Sequence, residues 1–157
     1  MRRVAGLACL AVMAAPAVAA ADSRLTLRDG ELSFLNEDAG VANRLTIGYA
    51  THNAEQTVRF ADDADPAGMS SYPTPPCTPG AINARGNPVE LFCTRSAIKS
   101  VAVDLGPNDG AVQAALDQHP ISVVGGLGAD RMTSGAADDY LVGGQGEHEA
   151  ACCRVAA

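Results

Sequence analysis

The chain has 157 residues and a formal charge of −7, an acidic balance that argues against nucleic acid and anionic membrane as partners and favours a cation as compensating ligand. Its length fits one domain with at most an appendage. Three Phe, three Tyr and no Trp predict a thin core lined by small aliphatic side chains rather than a thick sandwich core.

Arg2 and Arg3, the apolar run from Val4 to Ala15, Pro16 and two Ala-x-Ala sites read as a secretory signal over residues 1–21, cleaved after Ala19 or Ala21. The apolar run is too short to span a bilayer, so no membrane insertion is expected after its removal. Cleavage after Ala21 leaves nine basic against eighteen acidic residues, a charge of −9. The expected location is secreted, either extracellular or at the cell surface. Four cysteines then remain, in a compartment where disulfides persist. Cys77 and Cys93 are the natural pair, and closing the fifteen residues between them contributes roughly 3 kcal/mol. Cys152 and Cys153 are adjacent, too close for an ordinary bridge. Four cysteines allow three pairings, and spacing does not choose among them.

Arg24 to Arg28 and Glu31 to Leu35 alternate polar with apolar residues around Asp29-Gly30, which predicts two strands joined by a tight turn, either a hairpin or successive edges of a coil. The same alternation predicts strands at Arg44 to Tyr49 and Gln56 to Phe60. From Asp62 to Pro88 prolines interrupt the pattern and predict a long loop restrained by the Cys77 to Cys93 bridge. Asp63 to Gly68 opens like the calcium loop of a helix-loop-helix unit. Ala67 and Thr74 stand where that loop needs an oxygen side chain and a bidentate Glu, which excludes it. Further strands are expected at Val89 to Cys93 and Ile98 to Leu105. A turn at Gly106 to Gly110 and a loop over Ala111 to Gln118 follow, and then a short strand at Ile121 to Val124.

Three nine-residue units come next: Gly125 to Thr133, Ser134 to Val142 and Gly143 to Ala151. In each, a glycine-rich six-residue turn ends at or beside an acidic residue, and an apolar residue follows two places later: Met132, Leu141, then Ala150. Glycines permit positive φ, which lets carbonyl oxygens turn inward, and an Asp at the sixth place adds a carboxylate. Calcium takes six to eight such hard oxygens. Enzyme signatures are absent. His148-Glu149-Ala150-Ala151 begins like HExxH, but Cys152 stands at the second histidine position, and no GxSxG occurs. His52 and His119 read as ordinary loop residues.

The units fit GGxGxDxUx, and the stretch from about Ser96 to Gly146 resembles the secreted calcium-binding proteins with hemolysin-type (RTX) repeats. The lead-in Cys93, Val101 to Val103 and Asp104-Leu105-Gly106-Pro107-Asn108-Asp109 is similar to that of signal-bearing bacterial members. The resemblance implies a β-roll in which turns two units apart lie on one side with calcium between them. Gly126 and Gly128 would give carbonyls and Asp130 its carboxylate, and Gly143 and Gln145 would give carbonyls with His148 at the sixth place. His148 departs from the family pattern, being a nitrogen donor where calcium prefers oxygen. Glu147 and Glu149 flank it but sit off the motif position. The second turn, Ser134 to Asp139, lacks two glycines and faces residues 116–121 and 152–157, which carry no motif, so Asp138 and Asp139 are expected to be solvated. Ala151-Cys152-Cys153-Arg154 breaks the repeat, and the array is expected to be cut short or shifted in frame there.

The chain is therefore expected to be all-β: signal peptide 1–21, a solenoid-like N-terminal β region over 22–120, a short, truncated parallel β-roll over 121–151, and an irregular tail over 152–157. The expected function is calcium binding without catalysis. The competing reading is a metal-independent secreted surface-structural or interaction protein with degenerate repeats.

Overall fold

In the computed structural model the described residues are 23–36, 40–64, 68–71 and 77–151. The signal sequence, most of the prolines of the Asp62 to Pro88 segment, and Cys152 and Cys153 lie outside them. The fold is all-β. The expected hairpin forms as β1 (Ser23–Arg28) and β2 (Glu31–Asn36), paired antiparallel. Asp29 and Gly30 between them take φ of 54° and 93°, the two positive values that a two-residue turn of this hand requires. A second hairpin joins β3 (Arg44–His52) to β4 (Glu55–Asp62) through Asn53 and Ala54, at φ 51° and 65°.

The segment expected to be a long loop contains two short strands, β5 (Met69–Ser71) and β6 (Cys77–Pro79). Both lie at sheet edges, where proline is tolerated because no ladder partner needs its missing N–H. Met69 is fully buried and anchors the first. β6 pairs with β7 (Glu90–Thr94), placing Cys77 opposite Cys93, and their sulfurs are bonded. A short 3₁₀ turn, Arg95–Ala97, follows.

Six strands then alternate between two sheets: β8 (Ser100–Asp104), β9 (Ala111–Ala115), β10 (Ile121–Leu127), β11 (Arg131–Thr133), β12 (Tyr140–Gln145) and β13 (Glu149–Ala151). The first sheet runs β12-β10-β8-β2-β1-β5 and the second β13-β11-β9-β3-β4-β7-β6. Each strand from β10 onward pairs in parallel with the strand two places before it. β8 and β9 themselves lie parallel to β2 and β3, so the coil grows directly on the two hairpins. β9 corrects the loop expected over Ala111 to Gln118. Its alternation is carried by Val112 and Ala114, both buried, and the flanking Ala111 and Ala115 weaken the contrast in sequence.

The inward residues of both sheets form one core. Leu25, Leu32, Phe34, Val101, Val103, Ile121 and Val123 of the first meet Leu45, Ile47, Val58, Phe60, Leu91, Val112 and Met132 of the second. This core is mainly aliphatic, led by Leu and Val with Ile, and Phe34 and Phe60 are its buried aromatic rings. The plug tapers along the repeats: Met132 is fully buried, Leu141 half-buried and Ala150 exposed. Burying a side chain of this size contributes roughly 1.5–3 kcal/mol, so the last coil draws least on the core. No helix among the described residues is long and apolar enough to cross a membrane.

Candidate metal centre

The register of the coil sets three turns on one side, one above another. Gly126 pairs with Gly144 and Leu127 with Gln145, a step of 18 residues, or two nine-residue units. Below them the step is 20, since Ile121 pairs with Val101 and Arg131 with Ala111. That two-residue excess hides a third member of the stack in the sequence, the turn from Asp104 to Gly110. Asn36 and Asn108 hold it from below: Asn36 Nδ2 donates to the carbonyls of Leu105 (3.0 Å) and Val41 (3.1 Å), and Asn108 Nδ2 donates to Val41 (3.1 Å).

The approach of the turns leaves no room for side chains. A Cβ on Gly126 would lie 2.0 Å from the Gly106 carbonyl oxygen, and one on Gly144 would lie 2.1 Å from that of Gly126. Carbonyls of the earlier turn thus point at the later one, Gly128 at Gly146 among them. Gln145 already accepts the Gly128 N–H at 3.1 Å.

Asp130 stands at the centre of the stack and is 2 % exposed. Its Oδ1 accepts the Gly110 N–H at 2.8 Å, tying it to the turn below. Its Oδ2 is buried without a hydrogen-bond donor among the described residues. Buried polar groups are rarely left so, and a carboxylate oxygen least of all. A Cβ on Gly125 would fall 2.5 Å from both this Oδ2 and the Gly143 carbonyl oxygen. The two oxygens are therefore no further apart than twice that distance, within the span of one calcium shell.

His148 closes the other side. Its Nδ1 lies 3.3 Å from Asp130 Oδ2 without forming a hydrogen bond to it, and it accepts the Asp130 N–H at 3.4 Å. Its Nε2 is buried and unpartnered among the described residues. The ring lies against Gly143, where a Cβ would meet its Cδ2 at 2.5 Å. The ring nitrogen that accepts the Asp130 N–H thus lies beside the Asp130 carboxylate oxygen. Asp130 and His148 also line a surface hollow of about 880 Å³.

Calcium is only partly matched by this set. Asp130 Oδ2 and the Gly143 carbonyl are the hard oxygens it takes, whereas His148 offers nitrogen in place of a carboxylate. No three His, Cys, Asp or Glu side chains converge among the described residues, so an ion here would draw on backbone carbonyls. Glu147 and Glu149 do not replace the missing carboxylate: Glu147 is exposed, and Glu149 pairs with Arg131 at 2.7 Å.

Other carboxylates do work that the motif did not foretell. Asp109 Oδ1 accepts the Ala129 N–H at 2.8 Å. On the opposite side of the coil Asp139 Oδ1 accepts the Ile121 N–H at 3.0 Å, and its Oδ2 is buried without a partner among the described residues. Asp139 is therefore not the solvated residue expected. Each of these aspartates secures the backbone of a neighbouring coil, a contact across about 18–20 residues that only the register exposes.

Of the remaining histidines, His119 lies in a loop as expected, and His52 lies in β3. His119 is buried, with Nδ1 2.7 Å from the Tyr49 hydroxyl, which also accepts the Gln118 N–H at 2.9 Å. Burial and the charge of Arg95 lower its pKa against the opposing hydrogen bond to Ile98. His52 ends β3 and stacks on Phe92 at 4.1 Å. Compared with protein-family models, curated proteins and solved structures, the chain matches none.

Proposed function

We propose that this chain is a secreted, non-catalytic calcium-binding protein, a relative of the hemolysin-type repeat proteins. Calcium would order its stacked Gly/Asp turns as a short β-roll. The observation that carries the reading is the buried Oδ2 of Asp130, which accepts no hydrogen bond among the described residues and is set near the Gly143 carbonyl between two turns in register. Gly126, Gly128, Gly143 and Gln145 would supply carbonyls and Asp130 the carboxylate. The role of the ion is structural: it neutralises clustered carboxylate charge and fixes the turns. Extracellular modules hold calcium at about 10⁻⁴ to 10⁻³ M, and a site with one foreign donor belongs at the weak end. The Cys77–Cys93 bond supports an oxidising compartment.

The test is a calcium titration read by melting temperature and circular dichroism on the parent and on Asp130→Ala. Calcium should raise the melt of the parent alone. An unchanged melt and spectrum in excess calcium, with the variant behaving like the parent, removes the proposal. One observation favours the metal-independent surface-structural reading in that event. Asp109, Asp130 and Asp139 each already hold a backbone N–H of a neighbouring coil, contacts that need no ion.

A further inference from the structure

Both sheets are open at the same end of the coil. β12 is the outermost strand of the first sheet and β13 of the second, and among the described residues neither has a neighbour on its far side. Sheet edges are normally blunted by proline, by charge or by a covering segment. Pro79 does this at the far edge of the second sheet, in β6. β12, Tyr140–Gln145, has neither proline nor charge, and the charge of Glu149 in β13 is met by Arg131 at 2.7 Å. The core is open there too: Ala150 is exposed where its register partner Met132 is fully buried, and Leu141 is only half-buried. We propose that this open end is an interface for a second copy of the chain, joined edge to edge about a two-fold axis.

The occupant that fits is the chain itself, because the end face repeats a contact the molecule already makes. β10 and β12 pair in register, Val123 with Leu141, so the last coil offers the same backbone edge and inward row that the coil before it offered. A two-fold axis through both sheets sets β12 antiparallel to its own copy and β13 likewise, so one operation pairs both edges and closes the assembly. With a formal charge of −7 two chains repel over most of their surface, and uncharged β12 is where they can approach. At the coil's step of 18, residues 152–157 correspond to the turn at 134–139, so the strand positions beside β12 are not theirs. Six and three strand residues per copy fall short of the about 20–30 of a standard interface, so the dimer should dissociate at about 10⁻⁵ M or above.

Sedimentation equilibrium of the disulfide-intact protein, over concentrations spanning that value, should show the mass rising from one chain to two and no further. Val142 pairs with the exposed Val124 on the outer face, so Val142→Lys sets like charges beside the axis and should weaken the dimer about fivefold or more. Tyr140→Lys, at a position 67 % exposed and so indifferent to the fold, should act in the same direction. Leu35→Lys changes an exposed apolar residue of the same sheet on β2, away from the edge, and should leave the dimer unchanged. Deleting residues 152–157 should also leave it intact, which separates edge pairing from a link through Cys152 or Cys153. A protein that stays a single chain at every concentration overturns the proposal, as does a dimer lost with residues 152–157. A monomer that dimerises only after that deletion places the tail, not a copy, on the edge and overturns it equally. Sensitivity to Leu35→Lys without sensitivity to the two β12 variants moves the contact to the sheet face, and mass beyond two chains excludes the two-fold arrangement.

Discussion

Replacing Asp130 with Asn separates the two duties of that carboxylate. The amide oxygen keeps the place of Oδ1 and its bond from the Gly110 N–H, which is 2.8 Å long in the parent. The NH₂ group takes the place of Oδ2, 3.3 Å from the lone pair of His148 Nδ1 and facing the Gly143 carbonyl. An unsatisfied buried acceptor costs about 1–3 kcal/mol, and a new neutral hydrogen bond contributes about 1 kcal/mol. Against this, the bond from Gly110 loses its charge assistance, worth about 1 kcal/mol. The variant should thus be more stable than the parent by about 1–3 kcal/mol in chelator, a rise of about 3 °C in melting temperature per kcal/mol. Calcium at tenfold its dissociation constant should return about 1.4 kcal/mol to the parent and nothing to the variant. Thermal melts of both proteins, in chelator and in calcium, should show the gap closing by that amount. A variant less stable than the parent in chelator, or one that responds to calcium equally, refutes the claim that Oδ2 is an unmet cation ligand.

Gly126→Ala brings a Cβ to 2.0 Å from the Gly106 carbonyl at φ +95°, whereas Gly86→Ala meets nothing within 4 Å at φ +84°. Both carry the backbone strain of about 1–2 kcal/mol, and only the first adds an overpacking cost of about 1–3 kcal/mol. Urea midpoints should separate the two accordingly, and equal losses would deny the stacking of the turns. Ala54 closes the β3–β4 hairpin at φ 65°, so Ala54→Gly should stabilise by about 0.5–1 kcal/mol in the same assay. On acidification the protein should lose stability first through His119. Its folded pKa is below the ordinary 6.5, so the unfolded chain binds more protons as pH falls from about 6.5 through the folded value. Stability is full above that window and lost within it, and His119→Gln should flatten that part of the curve. Glu90 acts lower down. Burial works to raise its pKa, but hydrogen bonds from Arg59 and the Ala81 N–H, with the charges of Arg59 and His52, hold it below 4.5. Its contribution is present above 4.5 and lost as pH falls through the folded value.

Where alternation of polar and apolar residues was strong, as in Glu31 to Leu35 or Arg44 to Tyr49, the sequence was enough to place a strand, because one face is buried and the other wet. It failed at Ala111 to Ala115, where alanine on both faces blurs the contrast and the strand is held by its neighbours in the sheet. Met69–Ser71 and Cys77–Pro79 were hidden for a different reason: three-residue edge strands owe their existence to partners far along the chain. The resemblance implied that turns two units apart lie together, and Gly126 pairs with Gly144. Gly106 escaped because its step to Gly126 is two residues longer, and loop length is invisible to a fixed period. The foreign donor His148 was legible as a departure from the motif. The buried Oδ2 beside it was not, since satisfaction of a polar atom is a property of the assembled fold.

The most direct measurement is isothermal titration of the protein with calcium, alongside Asp130→Asn. One ion per chain, bound at about 10⁻³ M by the parent and not by the variant, is the predicted result. No heat from the parent at saturating calcium, or the same heat from both proteins, contradicts the assignment of the stacked turns as a cation site.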